Sequence, residues 1–245
     1  MMTHQQLPLD LRLRDSSRFE TFHAGSNGLA VAAVQAVARP LAEAGRAERQ
    51  VYLHGGAGSG KTHLLQAACH EAFSRGQRCG YLPLAEFEAR DPAAVLEALD
   101  QLDLLVLDDL QAVAGHPGWE RALFGLINRV RDRAGRLVLA ARAGPDGIGC
   151  RLPDLVSRLA WGPVFRLEQP DEAGIRTILQ QRAAQRGLTL GTAVADYLLR
   201  HESRDLDRLL RLLDRLDLAA LAEQRRLTVP FVRAQLRRLS IADGD

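Results

Sequence analysis

The sequence predicts an α/β domain built on a five-stranded parallel sheet, followed by a small all-α domain. Three observations predict it. Five short β-rich runs alternate with helical patterns through residue 167, a glycine-rich turn joins the first of these runs to a helix, and after Pro170 the β-rich runs stop. The chain has 245 residues, 47% of them hydrophobic and 25% charged, enough to bury a large core.

Taken in order, the first feature is "QQLPLDLRL", residues 5–13, with leucine at every second position from Leu7 to Leu13. In an extended chain the leucines line one side while Pro8, Asp10 and Arg12 line the other. Pro8 has no N–H to donate, so the strip belongs at a sheet edge, in a frayed tail, or paired with something outside the domain. The β-rich runs fall at 50–54, 78–83, 104–108, 137–141 and 164–167. Their continuous apolar character is that of strands covered on both faces. Helices are predicted at 171–186, 192–201, 205–224 and 230–239, punctuated by Gly187, Gly191 and Pro230. In the third, Leu206, Leu209, Leu210, Leu213 and Leu216 form one stripe, with Asp207 and Arg211 on the polar face.

Composition excludes several classes. No apolar run approaches the roughly 18 residues of a membrane span, and the polar N-terminus does not resemble a secretory signal, so no membrane partner and a cytoplasmic location are expected. Cys69, Cys79 and Cys150 form no CxxC pair. His63, Cys69 and His70 are spread over two helical turns without a fourth metal ligand. The net charge of +2 is too small to argue for nucleic acid by itself.

One count is informative. Of the 32 cationic residues, 31 are arginine and one is lysine, Lys61. A compact ammonium on a flexible stem is not interchangeable with a planar guanidinium, so position 61 demands the former. It stands in Gly55-Gly56-Ala57-Gly58-Ser59-Gly60-Lys61-Thr62, between a strand and a helix. In this GxxxxGK[ST] pattern backbone N–H groups cradle phosphates, Lys61 reaches the terminal phosphates and the Thr62 hydroxyl ligates Mg²⁺. A nucleoside di- or triphosphate is expected; the alternative is a glycine-rich turn with no ligand. "LDLLVLDDL" supplies the second strand, with Asp108 placed to hold Mg²⁺ through water and Asp109 where a glutamate commonly orients the attacking water. The two acids could instead form a helix N-cap. Trp119 and Trp161 are expected to pack a core or an interface.

A five-stranded P-loop domain with a small helical lid resembles the AAA+ class. "FETFHAGSNGLAVAAVQAVA" resembles the segment that helps enclose adenine in the replication initiator DnaA, "DDLQAVAG" that family's second acidic motif, and "LPDLVSRLAWG" its arginine-finger box. The chain stops at Asp245, before a DNA-reading helix-turn-helix domain, and so is similar to the Hda family of DnaA-like proteins. That resemblance implies a tail at 1–15, an AAA+ nucleotide-binding domain at 16–168 and a helical lid at 169–240. Gln6, Leu7, Leu9 and Leu11 match a peptide that docks on the β sliding clamp of DNA polymerase III, an extended segment in a groove. Contact with DNA would then be indirect, through the clamp. Arg158 matches the arginine presented to ATP-bound DnaA, where it stimulates hydrolysis in trans; a surface arginine capping Asp154 is the alternative. Arg204 matches the lid arginine that senses nucleotide, or is a salt-bridged surface residue.

The family pattern also implies ADP or ATP as ligand, a role as negative regulator of replication initiation, and association with further copies of the chain. Arg142 stands where DnaA-like proteins carry an acid that positions the catalytic water. With Asp109 one methylene shorter than glutamate, feeble intrinsic hydrolysis is expected, with bound ADP holding lid to core. Two rivals remain open. One is a DnaC-like helicase loader that binds single-stranded DNA; the other is a small P-loop kinase.

Overall fold

The structure is a computed structural model that describes residues 13–40, 48–202 and 205–242, with side chains through Arg238. Gln6, Leu7, Leu9, Leu11 and Arg204 therefore lie outside the described residues. The chain divides into two compact units, 1–169 and 170–245.

The first unit is a five-stranded, wholly parallel sheet. Its strands are β1 (Gln50–His54), β2 (Cys79–Pro83), β3 (Leu104–Asp108), β4 (Arg136–Ala141) and β5 (Val164–Arg166), in the spatial order β2-β3-β4-β1-β5. The predicted runs are these strands with ends shifted by at most one residue. At 78–83 the strand begins at Cys79, and at 164–167 it ends at Arg166, although Leu167 still donates its N–H to the His54 carbonyl. Arg136 opens β4 although it is charged. It is buried, and its guanidinium donates to the Val37 and Arg39 carbonyls and to Gln77.

Among the described residues five helices cover this sheet: α1 (Gly28–Ala38), α2 (Lys61–Ser74), the single turn α3 (Pro92–Val95), α4 (Pro117–Asp132) and α5 (Pro153–Leu159). Successive strand side chains alternate between faces, and both faces are apolar, which divides the core in two. Tyr52, Leu105, Leu107, Leu137 and Leu139 pack with Trp119, Leu123, Ile127 and Leu155 of α4 and α5. Val51, Leu53, Leu104, Val106 and Val138 pack with Val34 and Val37 of α1 and Leu64, Leu65 and Ala68 of α2. Leu13, the last leucine of the N-terminal strip, lies against this second core.

The second unit holds α6 (Glu172–Ala184), α7 (Thr192–His201), α8 (Leu206–Ala222) and α9 (Val229–Ala242). Asp171 and Asp205 cap α6 and α8, accepting from the N–H of Gly174 at 2.7 Å and of Arg208 at 2.8 Å. The inner stripe of α8 differs slightly from the predicted one. Leu209, Leu212, Leu213 and Leu216 are buried, whereas Leu206 and Leu210 sit at the margin of the core. The stripe is rotated toward Leu212 because α6, α7 and α9 all contribute to the one cluster it faces.

Strand β1 is held at its start as well as along its length. The Gln50 side chain donates to the Arg158 and Leu159 carbonyls at 2.8 and 3.0 Å, tying the end of α5 to the start of the strand. The chain then turns at Gly162 so close to β1 that a Cβ there would land on the Gln50 carbonyl. Gly162→Ala is therefore expected to cost about 1–3 kcal/mol through overpacking. Thermal melts should show a loss of several degrees, and an unchanged Tm would mean that the turn yields freely.

Candidate functional site

The glycine-rich turn follows the carboxyl end of β1 and opens α2, so the first-turn N–H groups of a 14-residue helix face the loop. Gly60 has φ +89°, and a Cβ on it would lie 2.5 Å from the Phe22 ring, so both conformation and space demand glycine. Ser59 Oγ donates to the Gly56 carbonyl at 2.9 Å, and Gln169 Nε2 donates to the Ala57 carbonyl at 2.5 Å. Lys61 is buried. Its ammonium donates to the Gly55 and Gly56 carbonyls at 2.7 and 2.9 Å. The sole lysine of the chain thus sits over the loop, and two carbonyl acceptors hold it there.

Thr62 and Asp108, 46 residues apart in sequence, are joined directly: the Thr62 hydroxyl donates to Asp108 Oδ2 at 2.7 Å. Tyr81 Oη donates to the same oxygen at 3.0 Å, and the Asp109 N–H to Oδ1 at 2.9 Å. Asp108 is 1% exposed. Burial raises its pKa, and repulsion from Asp109 adds to the rise, while the Thr62 and Tyr81 hydroxyls and the Asp109 N–H oppose it. A buried carboxylate whose bonds all come from neutral donors is suited to a divalent cation, so Thr62 and Asp108 fit Mg²⁺. Burial followed by the nearby Asp108 also raises the Tyr81 hydroxyl.

Asp109 adopts a left-handed conformation, φ 55°, and opens a 3₁₀ turn over Leu110–Ala112. The N-cap alternative fails here because its side chain makes no capping bond. Gln111 Nε2 donates to Asp109 Oδ1 at 2.8 Å, while Gln111 Oε1 accepts the Arg142 N–H at 3.0 Å. The end of β3 is thereby laced to the end of β4. Arg142 itself is exposed.

Arg158 lies on α5, near the opposite end of β1. Its Nε donates to Asn128 Oδ1 at 2.7 Å, and its guanidinium sits 4.5 Å from the Trp161 ring centroid and 5.5 Å from that of Phe124. The bond goes to Asn128 and not to Asp154, four residues back. Arg204 and Gln6, Leu7, Leu9 and Leu11 cannot be placed relative to these groups, since they lie outside the described residues. The two tryptophans separate: Trp119 is 3% exposed and donates to the Glu88 carbonyl at 3.1 Å, whereas Trp161 is 48% exposed.

Several residues shape the site in ways that no motif assigns to them. Asn27 pairs reciprocally with the Glu168 backbone, at 3.0 and 2.9 Å, closing the segment before the P-loop onto the end of β5. His63 bonds the Arg18 carbonyl at 2.9 Å and His70 the Arg14 carbonyl at 3.1 Å, fastening that segment along α2. Buried Glu120 accepts the N–H groups of Gly115, Arg151 and Leu152 at 2.7, 2.9 and 2.8 Å, setting the start of α5. Burial alone would raise its pKa, but these three donors outweigh it and lower the value.

The Asp108 environment has a measurable sign. Its folded-state carboxyl binds a proton above the reference value of 3.8, so its contribution to stability is full below that value and is lost as pH rises through the raised folded pKa. In buffer free of metal and nucleotide, Asp108→Asn is expected to be at least as stable as the parent. The margin between their Tm values should widen from about pH 4 to about pH 7. A margin that narrows would mean that the site favours the anion.

Comparison with known proteins agrees with this architecture. The family model for the bacterial DnaA ATPase domain matches residues 13–166, and that for the Hda lid domain matches residues 171–236. Domain III of the Thermotoga maritima replication initiation protein DnaA superposes with a TM-score of 0.78 at 24% identity, covering 92% of this chain and 98% of that one; at that identity the likeness is one of fold. DnaA from Aquifex aeolicus bound to AMPPCP has 27% identity and a TM-score of 0.68, covering 83% of this chain and 66% of that one. The replication initiator DnaA bound to AMPPCP and single-stranded DNA has 28% identity and a TM-score of 0.69, with the same coverage. Among the described residues no helix is long and apolar enough to cross a membrane. A nucleotide-binding AAA+ domain of the DnaA type, running directly into an Hda lid, places this chain in the Hda family of DnaA-related replication regulators.

Proposed function

We propose that this chain, bound to ADP or ATP, docks on the β sliding clamp through Gln6, Leu7, Leu9 and Leu11. From there it presents Arg158 to ATP-bound DnaA and stimulates hydrolysis in that partner, so that it acts as a negative regulator of initiation. The observation that carries this reading is the geometry of Arg158. Asn128 holds its Nε and two aromatic rings flank its plane, leaving both terminal amino groups without a hydrogen-bond partner among the described residues. A guanidinium gripped by its stem and face is a preorganised two-pronged donor for a phosphate. Its place in the fold supports an intermolecular action. Gln50 anchors the Arg158 carbonyl at the first residue of β1, whereas the glycine-rich turn begins after the last. A strand of this length spans about 16 Å at roughly 3.3 Å per residue, beyond an arginine's reach.

Within its own nucleotide site, backbone N–H groups of Gly55 to Gly60 and the Lys61 ammonium would bind phosphates, with Lys61 exchanging its two carbonyl acceptors for phosphate oxygens. Thr62 and Asp108 would hold Mg²⁺, which neutralises phosphate charge when bound. The Asp109 carboxylate is engaged by Gln111, and Arg142 is a cation where a water-positioning acid is expected, so intrinsic hydrolysis is slow. The match to an Hda lid favours this reading over the helicase-loader and kinase alternatives.

Three measurements test the reading. Arg158→Ala is expected to lower DnaA's ATP turnover on clamp-loaded DNA by about 10³-fold or more, and undiminished turnover overturns the proposal. Gln6→Ala with Leu7→Ala should abolish retention on clamp-loaded beads at unchanged Tm; retained binding removes the tail from the mechanism. The chain alone should hydrolyse ATP below about 1 s⁻¹, and faster turnover would refute the account of Asp109 and Arg142.

A further inference from the structure

Arg158 does not stand alone on its surface. Trp161, just past α5, is 48% exposed, and the guanidiniums of both Arg158 and Arg131 pack on its ring. Arg158 and, more weakly, Arg49, the exposed residue that precedes β1, repel Arg131, and the adjacent Asp132 offsets part of that repulsion. The neighbouring Gln50 side chain, bonded to the Arg158 and Leu159 carbonyls, brings Arg49 beside the finger helix.

Among the described residues no ion pair neutralises the charge on this patch. Arg129 and Arg133, on either side of Arg131 in sequence, both pair with Asp100, at 3.7 and 3.1 Å. Arg49, Arg131 and Arg158 have no carboxylate partner within ion-pair distance among the described residues, and Arg131 Nη1 is buried without an acceptor. An Arg131 guanidinium repelled by two other cations, and an exposed indole carrying two guanidiniums, are unfavourable in the free protein. An acidic surface that buries the indole relieves both conditions at once, with an aromatic anchor at the centre and charge at the rim.

We propose that Arg49, Arg131 and Trp161 form a docking surface for an acidic face flanking the nucleotide site of the partner ATPase. This rests on the reading of Arg158 as the trans-acting arginine. Arg158 engages the phosphate, and the flanking arginines engage carboxylates of the protein around it. A nucleic-acid strand is the less suitable polyanion, because a binding track for it repeats stacking platforms along its length and this patch exposes one ring.

The test is kinetic, with DnaA titrated on clamp-loaded DNA. The double charge reversal Arg49→Glu with Arg131→Glu should raise the KM for DnaA about tenfold, keep kcat within about twofold, and flatten the salt dependence of KM. The pair Arg49→Lys with Arg131→Lys should retain most of the parent's affinity. Arg49→Glu alone, at an exposed position, should show the same direction if the double variant folds poorly. An unchanged KM and salt slope, in a background where Arg158→Ala is inactive, overturns the docking surface and leaves the arginine finger standing. Full activity of Arg158→Ala overturns the finger itself. Binding of a labelled single-stranded oligonucleotide by the parent, lost on charge reversal, overturns the proposal in favour of nucleic acid.

Discussion

Strand β1 is the constraint on which the rest of the first unit depends. It pairs with β4 on one side and β5 on the other, so both neighbours are fixed by its register. Its carboxyl end delivers the phosphate-binding turn, and its first residue holds the finger helix through two carbonyl bonds. One rigid extended segment thus sets the separation between the glycine-rich turn and Arg158. In the proposed mechanism those two groups serve different molecules for a geometric reason, not because either is chemically unable to serve the other.

The electrostatics follow the same division. At the carboxyl end the buried groups form nearly closed local networks: Lys61 is held by loop carbonyls and Asp108 by hydroxyls and one N–H. In the proposed function, binding of a phosphate and a cation there would be an exchange of partners, which is how a buried charged site stays stable before it is filled. At the opposite end the guanidiniums are held by carbon faces and an amide oxygen, with no ion pair among the described residues. One end resembles a receptor for a ligand; the other resembles half of an interface.

The fold was legible because its signals are local. Each strand is a short, largely apolar run, two of the lid helices open on a capping aspartate, Asp171 and Asp205, and the glycine-rich turn announces the loop by residue type alone. Asp108 and Thr62 were legible for the same reason, each lying inside a recognisable motif. Asn27, Glu120 and Asn128 were not. An asparagine that pairs with a backbone 141 residues away, or a glutamate that shapes the start of another helix, carries no pattern in its own neighbourhood. Arg136 shows the limit from the other side, since a charged residue at a strand start reads as surface until three acceptors are found around it.

The sequence by itself determined that a strand, a phosphate turn and an acidic strand end occur in order, that a helical unit follows, and that one lysine serves where arginine serves elsewhere. These are properties of residue type and spacing along the chain. The tertiary structure decided that Thr62 and Asp108 touch, that Gln111 laces Asp109 to the β4 end, and that Trp161 is exposed while Trp119 is buried. It also decided that Arg158 rests on Asn128 instead of Asp154. These depend on which segments pack side by side, and that is set by burial of the two sheet faces together, a property no single stretch of sequence contains.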